Sequence, residues 1–264
     1  MYVFDCTKKS YSSSKGSFMN KEQYARLLKD IRDTHKQGGD VSAHIANYKD
    51  RFKYIYIYND SIFKLLFGAP ENESVTIDFF NAILERTGSD CIDNLTYTTT
   101  TKEGASSRHQ QLERISVEIQ HEDNKPYCDP LILHSIKHQV KNKYYGDSLW
   151  TQDFSHIELL LFDNFTNSKN YRHCEFFEHE EKQYSNLKQS LIFIEISKFL
   201  KNNYAYDQSH LAQWIRFIDS INNESPIETL KNSVFSQLEE KAKLCNFTKD
   251  FLVSEATKIS IFPS

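Results

Sequence analysis

Two polar side chains with different chemistry lie two residues apart in the segment ERISVEIQHED. Successive side chains of a β-strand point to opposite faces, so the alternation predicts a strand with Glu118 and Gln120 on one face. The apolar face is then formed by Ile115, Val117 and Ile119. A carboxylate can bind a hard cation such as Mg²⁺, and an amide can hydrogen-bond a water molecule without accepting its proton. The same pattern is typical of a half-buried strand whose polar face is simply solvated.

The composition predicts a globular protein without a membrane segment. The 264 residues are 39% hydrophobic and 14% aromatic, and no run of about 18 apolar residues occurs. The stretch MYVFDCTKKSYSSSKG lacks the apolar block of a signal peptide, so we expect a cytoplasmic location. The five cysteines show no CxxC pair and are interpreted as reduced thiols.

The formal net charge of −4 argues against binding of polyanions by bulk electrostatics, so nucleic-acid binding would need a local basic patch. The candidates are Lys137, Lys141 and Lys143, in a segment from Leu131 to Lys143 that could form a helix. A solvated helix face is the alternative interpretation of these lysines.

Hydrophobic periodicity predicts an α/β protein with helical extensions at both ends. We expect an N-terminal extension over residues 1–50, a core over 51–201 and a C-terminal helical extension over 202–264. The runs NLTYTTTT and RISVEIQ predict a hairpin-like pair of strands, separated by the polar stretch KEGASSRHQQL. The apolar runs HIELLLF and SLIFIEI predict two strands that are buried on both faces. Helical spacing predicts an interior set formed by Phe63, Phe67, Phe79, Phe80 and Ile83.

Several stretches in this order resemble the PD-(D/E)XK nuclease family of transposase-like proteins, also called recombination-promoting nucleases. They are NDSIFKLLFGAPENESVTIDFFNAIL, ISVEIQ, HIELLLFDNF, LIFIEISKFLKN and LAQWIRFI, within residues 52–255. The resemblance implies a restriction-endonuclease-like fold, in which helices flank a mixed sheet. It also implies Mg²⁺-dependent hydrolysis of phosphodiester bonds in DNA.

By position, the resemblance implies that Glu118 binds the metal, that Gln120 positions the attacking water and that Asp60 supports the site from the first helix. The chain departs from the family at the metal-binding Asp, whose matching position falls near Gly104. No aspartate lies between Asp93 and Glu118, and Glu103 is the nearest carboxylate that could replace it. The arginine of the family's following helix also has no clear match, although Lys137 or Lys141 lies nearby in the sequence.

Two functions from different classes remain open on this sequence. The first is a Mg²⁺-dependent DNA endonuclease in which Glu103 and Glu118 hold the ion. The second is a catalytically decayed nuclease fold that binds DNA or a protein partner. The missing strand aspartate separates them, because a site with one good carboxylate would bind Mg²⁺ weakly. The oligomeric state is not specified by the sequence.

Overall fold

The computed structural model describes residues 19–97, 102–105, 112–120, 153–164, 169–176, 189–202, 207–222 and 233–258. Within these residues there are eight α-helices and one six-stranded sheet. The helices are α1 (Lys21–Lys36), α2 (Ser42–Arg51), α3 (Asp60–Gly68), α4 (Glu73–Ile83), α5 (Ile196–Asn202), α6 (His210–Asn222), α7 (Ser233–Lys241) and α8 (Lys249–Lys258). The strands are β1 (Asn94–Tyr97), β2 (Lys102–Ala105), β3 (Leu112–Gln120), β4 (Asp153–Leu160), β5 (Tyr171–Phe176) and β6 (Gln189–Glu195). None of the described helices is both long enough and apolar enough to cross a membrane.

The sheet is mixed, with the strand order β1-β2-β3-β4-β6-β5. The pairs β3–β4 and β4–β6 are parallel, and the remaining pairs are antiparallel. The predicted α/β fold with a restriction-endonuclease-like mixed sheet is therefore confirmed. The segments ISVEIQ, HIELLLF and SLIFIEI all contribute strands to this one sheet, as predicted.

One prediction about the sheet was wrong. The sequence suggested that NLTYTTTT and RISVEIQ pair directly, but β2 lies between β1 and β3 and is antiparallel to both. Its residues, KEGA, have low intrinsic preference for strands. A strand with neighbours on both sides uses its backbone N–H and C=O groups in both directions, and this pairing stabilises it despite its composition.

The predicted interior set is buried, as are the two apolar strands. Phe63, Phe67, Phe79, Phe80 and Ile83 are each no more than 3% exposed. Phe67 and Phe79 also contact the Trp214 ring of α6, with centroid distances of 5.9 and 5.2 Å. On β3, Ile115 and Ile119 are buried as predicted, whereas Val117 is only partly buried.

A carboxylate fixes the start of α6 and its tryptophan against α4. Asp78 Oδ2 accepts a hydrogen bond of 2.8 Å from Trp214 Nε1 and lies 2.7 Å from His210 Nε2. These contacts tie the polar edges of the aromatic rings to the helix that they pack against.

The described residues form two compact units. The larger contains those within Tyr58–Asp219 and Ile227–Leu238, and therefore the whole sheet. The smaller contains those within Met1–Ile57, Ser220–Pro226 and Glu239–Ser264. In the smaller unit α1 packs against α8, and α1 begins with a capping box formed by Asn20 and Gln23. The predicted segment boundaries at residues 50 and 201 stay predictions.

Candidate metal-binding site on strands β3 and β4

The parallel register of β3 and β4 places polar residues beside one another at two successive positions. Ser116 is opposite His156, and Glu118 is opposite Glu158. Residues that are paired in a sheet point to the same face, and residues two apart along a strand share that face. The register therefore gathers four polar side chains on one side of the central strands.

Three of these side chains form a continuous chain of short polar contacts. The Ser116 Oγ atom lies 2.5 Å from His156 Nδ1, and His156 Nε2 lies 2.7 Å from Glu158 Oε1. A neutral imidazole has one donor and one acceptor nitrogen, so the serine hydroxyl can donate to Nδ1 while Nε2–H donates to the carboxylate. His156 is thereby fixed in orientation from both sides of its ring.

The Glu158 carboxylate is fully buried, with a relative exposure of 0%. Its Oε1 atom contacts His156, but its Oε2 atom is buried without a hydrogen-bond partner in the described part of the chain. Burial of a charged oxygen without a partner is costly, and native proteins normally compensate it with a hydrogen bond, a charge or a metal ion. A cation bound at Glu158 Oε2 would therefore compensate this buried charge.

Glu118 and Gln120 complete the site at its more accessible side. Both side chains are partly buried, and Gln120 Nε2 donates a long hydrogen bond of 3.4 Å to Glu118 Oε2. One ligand atom each from Glu118, His156 and Glu158 can be chosen so that all three lie within 4.8 Å of one another. Two carboxylates and an imidazole at this separation are suitable donors for one divalent cation.

Apolar side chains border the site on the β6 side. Leu160, Leu191 and Phe193 form a buried cluster, and Phe162 packs against it. Leu191 pairs with His156 and Phe193 pairs with Glu158, so the cluster lies on the same face of the sheet as the polar residues. An apolar border limits the access of water and strengthens electrostatic interactions at the site.

The sequence-predicted residues Glu118 and Gln120 lie together on β3, and the pattern E-x-Q correctly predicted the strand and their shared face. Asp60 is the first residue of α3, is partly exposed, and forms an ion pair of 2.7 Å with Lys64 one turn later. The catalytic roles predicted for these three residues stay predictions.

Glu103 lies on β2 and pairs with Arg114, four residues before Glu118 on the neighbouring strand. At about 3.3 Å per residue, this register separates the Glu103 and Glu118 backbones by about 13 Å along the strand direction. Glu158, in contrast, is directly opposite Glu118. The metal role of Glu103 stays a prediction, and the register favours Glu158 for that role.

The predicted nucleic-acid-binding residues Lys137, Lys141 and Lys143 lie outside the described residues. The sequence interpretation missed His156 and Glu158, because HIELLLF was treated as an apolar run. A signal was present: H-x-E has the same two-residue spacing as E-x-Q and places both side chains on one face of a strand. The register that joins the two motifs is not encoded in either motif.

The comparisons with known proteins identify one family. The family model described as PD-(D/E)XK nuclease family transposase matches residues 57–258, which include all six strands. No curated protein and no solved structure matches the chain. The match confirms the resemblance inferred from the sequence motifs and supports a nuclease-like function in general. The chain belongs to the PD-(D/E)XK nuclease family of transposases.

Proposed function

We propose that this protein is a metal-dependent DNA endonuclease that hydrolyses phosphodiester bonds at the site formed by β3 and β4. The observation that carries the proposal is the pair of carboxylates directly opposite each other, Glu118 and Glu158. Glu158 is buried, and its Oε2 atom has no hydrogen-bond partner in the part of the chain that the structure describes. Enzymes of this family generally use divalent metal ions. A family member without a carboxylate beside Glu118 would lack a site for such an ion.

The residues present fit a divalent ion. Glu118 and Glu158 supply hard oxygen donors, and Mg²⁺ is usually held by one or two carboxylates together with water and substrate phosphate. When bound, the ion would supply activation of a water molecule and neutralisation of the charge that develops on the phosphate. The buried carboxylate holds its position without the ion because its Oε1 atom is already bonded to His156.

Gln120 is suited to orientation and not to proton transfer. Its amide nitrogen can donate to Glu118 and to a water molecule at the same time, because the amide group carries two donor hydrogens. An amide has no proton-accepting group at neutral pH, so Gln120 would position the attacking water and leave its proton to another acceptor. Loss of Gln120 is therefore expected to slow the reaction less than loss of Glu118.

A second candidate function is that of a decayed nuclease which binds DNA or a protein partner. It is favoured by the contacts of His156, whose two ring nitrogens already contact Ser116 and Glu158. Such contacts could be purely structural. The choice of DNA as substrate and the cytoplasmic location stay predictions under either function.

The test is cleavage of supercoiled and linear DNA by the purified protein with Mg²⁺ and, separately, with Mn²⁺. Glu118→Ala is expected to abolish cleavage, because the ion loses an accessible carboxylate. Gln120→Ala is expected to slow it by about 10 to 100-fold, the usual range for residues that orient a metal site. Asp163→Asn is the matched control, since this exposed carboxylate forms an ion pair with Lys201 at 2.9 Å and is expected to leave the rate unchanged.

Glu103→Ala distinguishes the two arrangements of the site. If it abolishes cleavage as Glu118→Ala does, the second carboxylate is on β2 and the pairing of β3 and β4 is not the ion site. If the unaltered protein neither cleaves DNA nor binds either ion by calorimetry, the endonuclease proposal is wrong and the decayed nuclease remains.

A further inference from the structure

The imidazole of His156 is a feature of the site that the sequence motifs did not predict. The side chain is 5% exposed and lies between Ser116 Oγ and Glu158 Oε1, at 2.5 and 2.7 Å. It also belongs to the group of three side chains whose ligand atoms lie within 4.8 Å of one another. A buried histidine beside two carboxylates offers a nitrogen donor in an otherwise oxygen-donor site.

We infer that β3 and β4 bind a first-row transition metal ion through Glu118, His156 Nε2 and Glu158, in preference to Mg²⁺ or Ca²⁺. This inference rests on the proposed function, because it assigns the ion and its ligands at the same site. Mg²⁺ and Ca²⁺ favour all-oxygen sites, whereas an imidazole nitrogen suits transition metals. Mn²⁺ binds both imidazole nitrogen and carboxylate oxygen, so we use Mn²⁺ as the probe of metal binding at this site.

A second observation, independent of the donor set, also points to a cation. The Glu158 Oε2 atom is completely buried and has no hydrogen-bond partner among the described residues. A hydrogen-bonded chain that served only for packing would satisfy its buried end, because an unpartnered charged oxygen destabilises the fold. This unpartnered oxygen belongs to the same carboxylate whose other oxygen, Oε1, contacts His156 Nε2.

One pair of donors has a spacing close to that of neighbouring ligands in a coordination sphere. Two neighbouring donors at about 2.1 Å from an octahedral ion are about 3 Å apart. The distance of 2.7 Å between His156 Nε2 and Glu158 Oε1 is a few tenths of an ångström shorter, as expected where a shared proton holds the atoms together. A small rotation of the carboxylate is enough to exchange that hydrogen bond for coordination.

Ser116 is the positioning residue of this arrangement. Coordination through Nε2 requires the ring proton to be on Nδ1, and a hydroxyl can either donate to Nδ1 or accept from it. Ser116 therefore bonds the ring in both tautomers, and the proton moves from Nε2 to Nδ1 without a change in the net charge of the imidazole. Groups that orient a metal-binding histidine in this way typically change metal affinity by about 10 to 100-fold when removed.

The experiment measures Mn²⁺ binding by the full chain without DNA. Titration followed by electron paramagnetic resonance counts free Mn²⁺, and calorimetry compares Mn²⁺ with Mg²⁺ and Ca²⁺ under the same conditions. We expect a single ion to bind at least about tenfold more tightly as Mn²⁺ than as Mg²⁺. Spin-echo modulation of the bound ion is expected to show coupling to a directly coordinated imidazole ¹⁴N. The absence of ¹⁴N coupling in the unaltered protein overturns the inference whatever the variants do.

Variants then assign the ligands. His156→Gln and Glu158→Gln are expected to weaken Mn²⁺ binding by at least about tenfold, and Ser116→Ala is expected to weaken it by about 10 to 100-fold. The ¹⁴N coupling is expected to be lost in His156→Gln and reduced in Ser116→Ala. Asp163→Asn is the control for loss of a carboxylate and is expected to leave the affinity within about twofold, since exposed surface pairs contribute little. If Glu103→Gln removes binding while Glu158→Gln retains it, the ligands are on β2 and the inference is wrong.

Failure of this inference is distinguishable from failure of the proposed function. DNA cleavage without ¹⁴N coupling would leave the endonuclease standing and remove His156 from the metal site. Mn²⁺ binding with ¹⁴N coupling but no cleavage would retain the site and remove the endonuclease.

Discussion

Two buried glutamates in the same sheet are expected to respond in opposite directions to the same substitution. Glu158 and Glu195 are both 0% exposed. Glu195 Oε2 accepts a hydrogen bond of 2.7 Å from Lys198 Nζ, and its Oε1 accepts one of 2.7 Å from the backbone N–H of Asn164. Among the described residues, Glu158 accepts a hydrogen bond from His156 alone, and its Oε2 atom has no partner. Glutamine has nearly the same size as glutamate, so the substitution mainly removes the charge.

The magnitudes follow from these partners. Glu195→Gln removes the carboxylate charge that the buried Lys198 ammonium contacts, and removal of one partner of a buried ion pair lowers the free energy of unfolding by about 3 to 5 kcal/mol. Glu158→Gln removes a buried charge with an unsatisfied oxygen and keeps an acceptor for His156. In the absence of metal it is expected to increase the free energy of unfolding by about 1 to 3 kcal/mol. The two variants should therefore differ by at least about 4 kcal/mol.

The assay is urea unfolding in EDTA, followed by Trp214 fluorescence. The chain has two tryptophans, so a Trp150→Phe background makes Trp214 the sole reporter of the unit that contains the sheet. With a slope of about 2 kcal/mol per molar urea, the expected gap is about 2 M between the two midpoints. A loss of stability in Glu158→Gln equal to that in Glu195→Gln would refute the reasoning, because it would mean that the Glu158 charge is fully compensated within the fold.

Two further predictions concern the hydrophobic core and the decrease in the free energy of unfolding at alkaline pH. Phe79→Ala is expected to lower the free energy of unfolding by about 3 to 5 kcal/mol in urea titrations, because Phe79 is 2% exposed. Leu65→Ala, at a side chain 43% exposed on the adjacent helix, should cost under about 0.5 kcal/mol, and a similar loss in both would contradict the assignment of the core. Burial, together with the charge of Glu85, raises the pKa of Tyr171 to about 12. The unfolded chain releases this proton near pH 10, so its contribution to stability is complete below about pH 10 and is lost as the pH rises towards 12. Tyr171→Phe should make the free energy of unfolding fall less steeply between about pH 10 and 12, and an unchanged slope in unfolding titrations over that range would contradict the expectation.

The parts of the fold that the sequence predicted are those governed by local periodicity. The alternation in ISVEIQ predicted β3 and the shared face of Glu118 and Gln120, because the two-residue period of a strand is a local property. The helical spacing of Phe63 and Phe79 predicted their burial for the same reason. The strand KEGA was missed because its residues have low strand preference and pair only in the context of two neighbours.

The composition of the candidate site could not be predicted in this way, because it depends on a long-range register. His156 and Glu158 lie about forty residues beyond Ser116 and Glu118, and a shift of the pairing by one residue would place them on the other face of the sheet. A histidine and a glutamate within an apolar run can equally well be satisfied core residues. Only the parallel pairing with β3 distinguishes these alternatives.

The same register bears on whether a nuclease without the usual strand aspartate is decayed. That inference assumes that the second carboxylate must be on the strand before Glu118, but a cation responds to the position of oxygen atoms and not to the strand that carries them. β4 supplies a carboxylate directly opposite Glu118, and the Oε2 atom of this carboxylate is buried without a hydrogen-bond partner among the described residues, which costs stability. Buried charges without a full set of partners are expected at functional sites, where residues are selected for binding even if they lower the stability of the fold. If Glu158→Gln stabilises the ion-free protein and weakens Mn²⁺ binding, the buried charge is explained by the ion. If it does neither, Glu158 is a structural residue and the missing aspartate has the consequence that the sequence suggested.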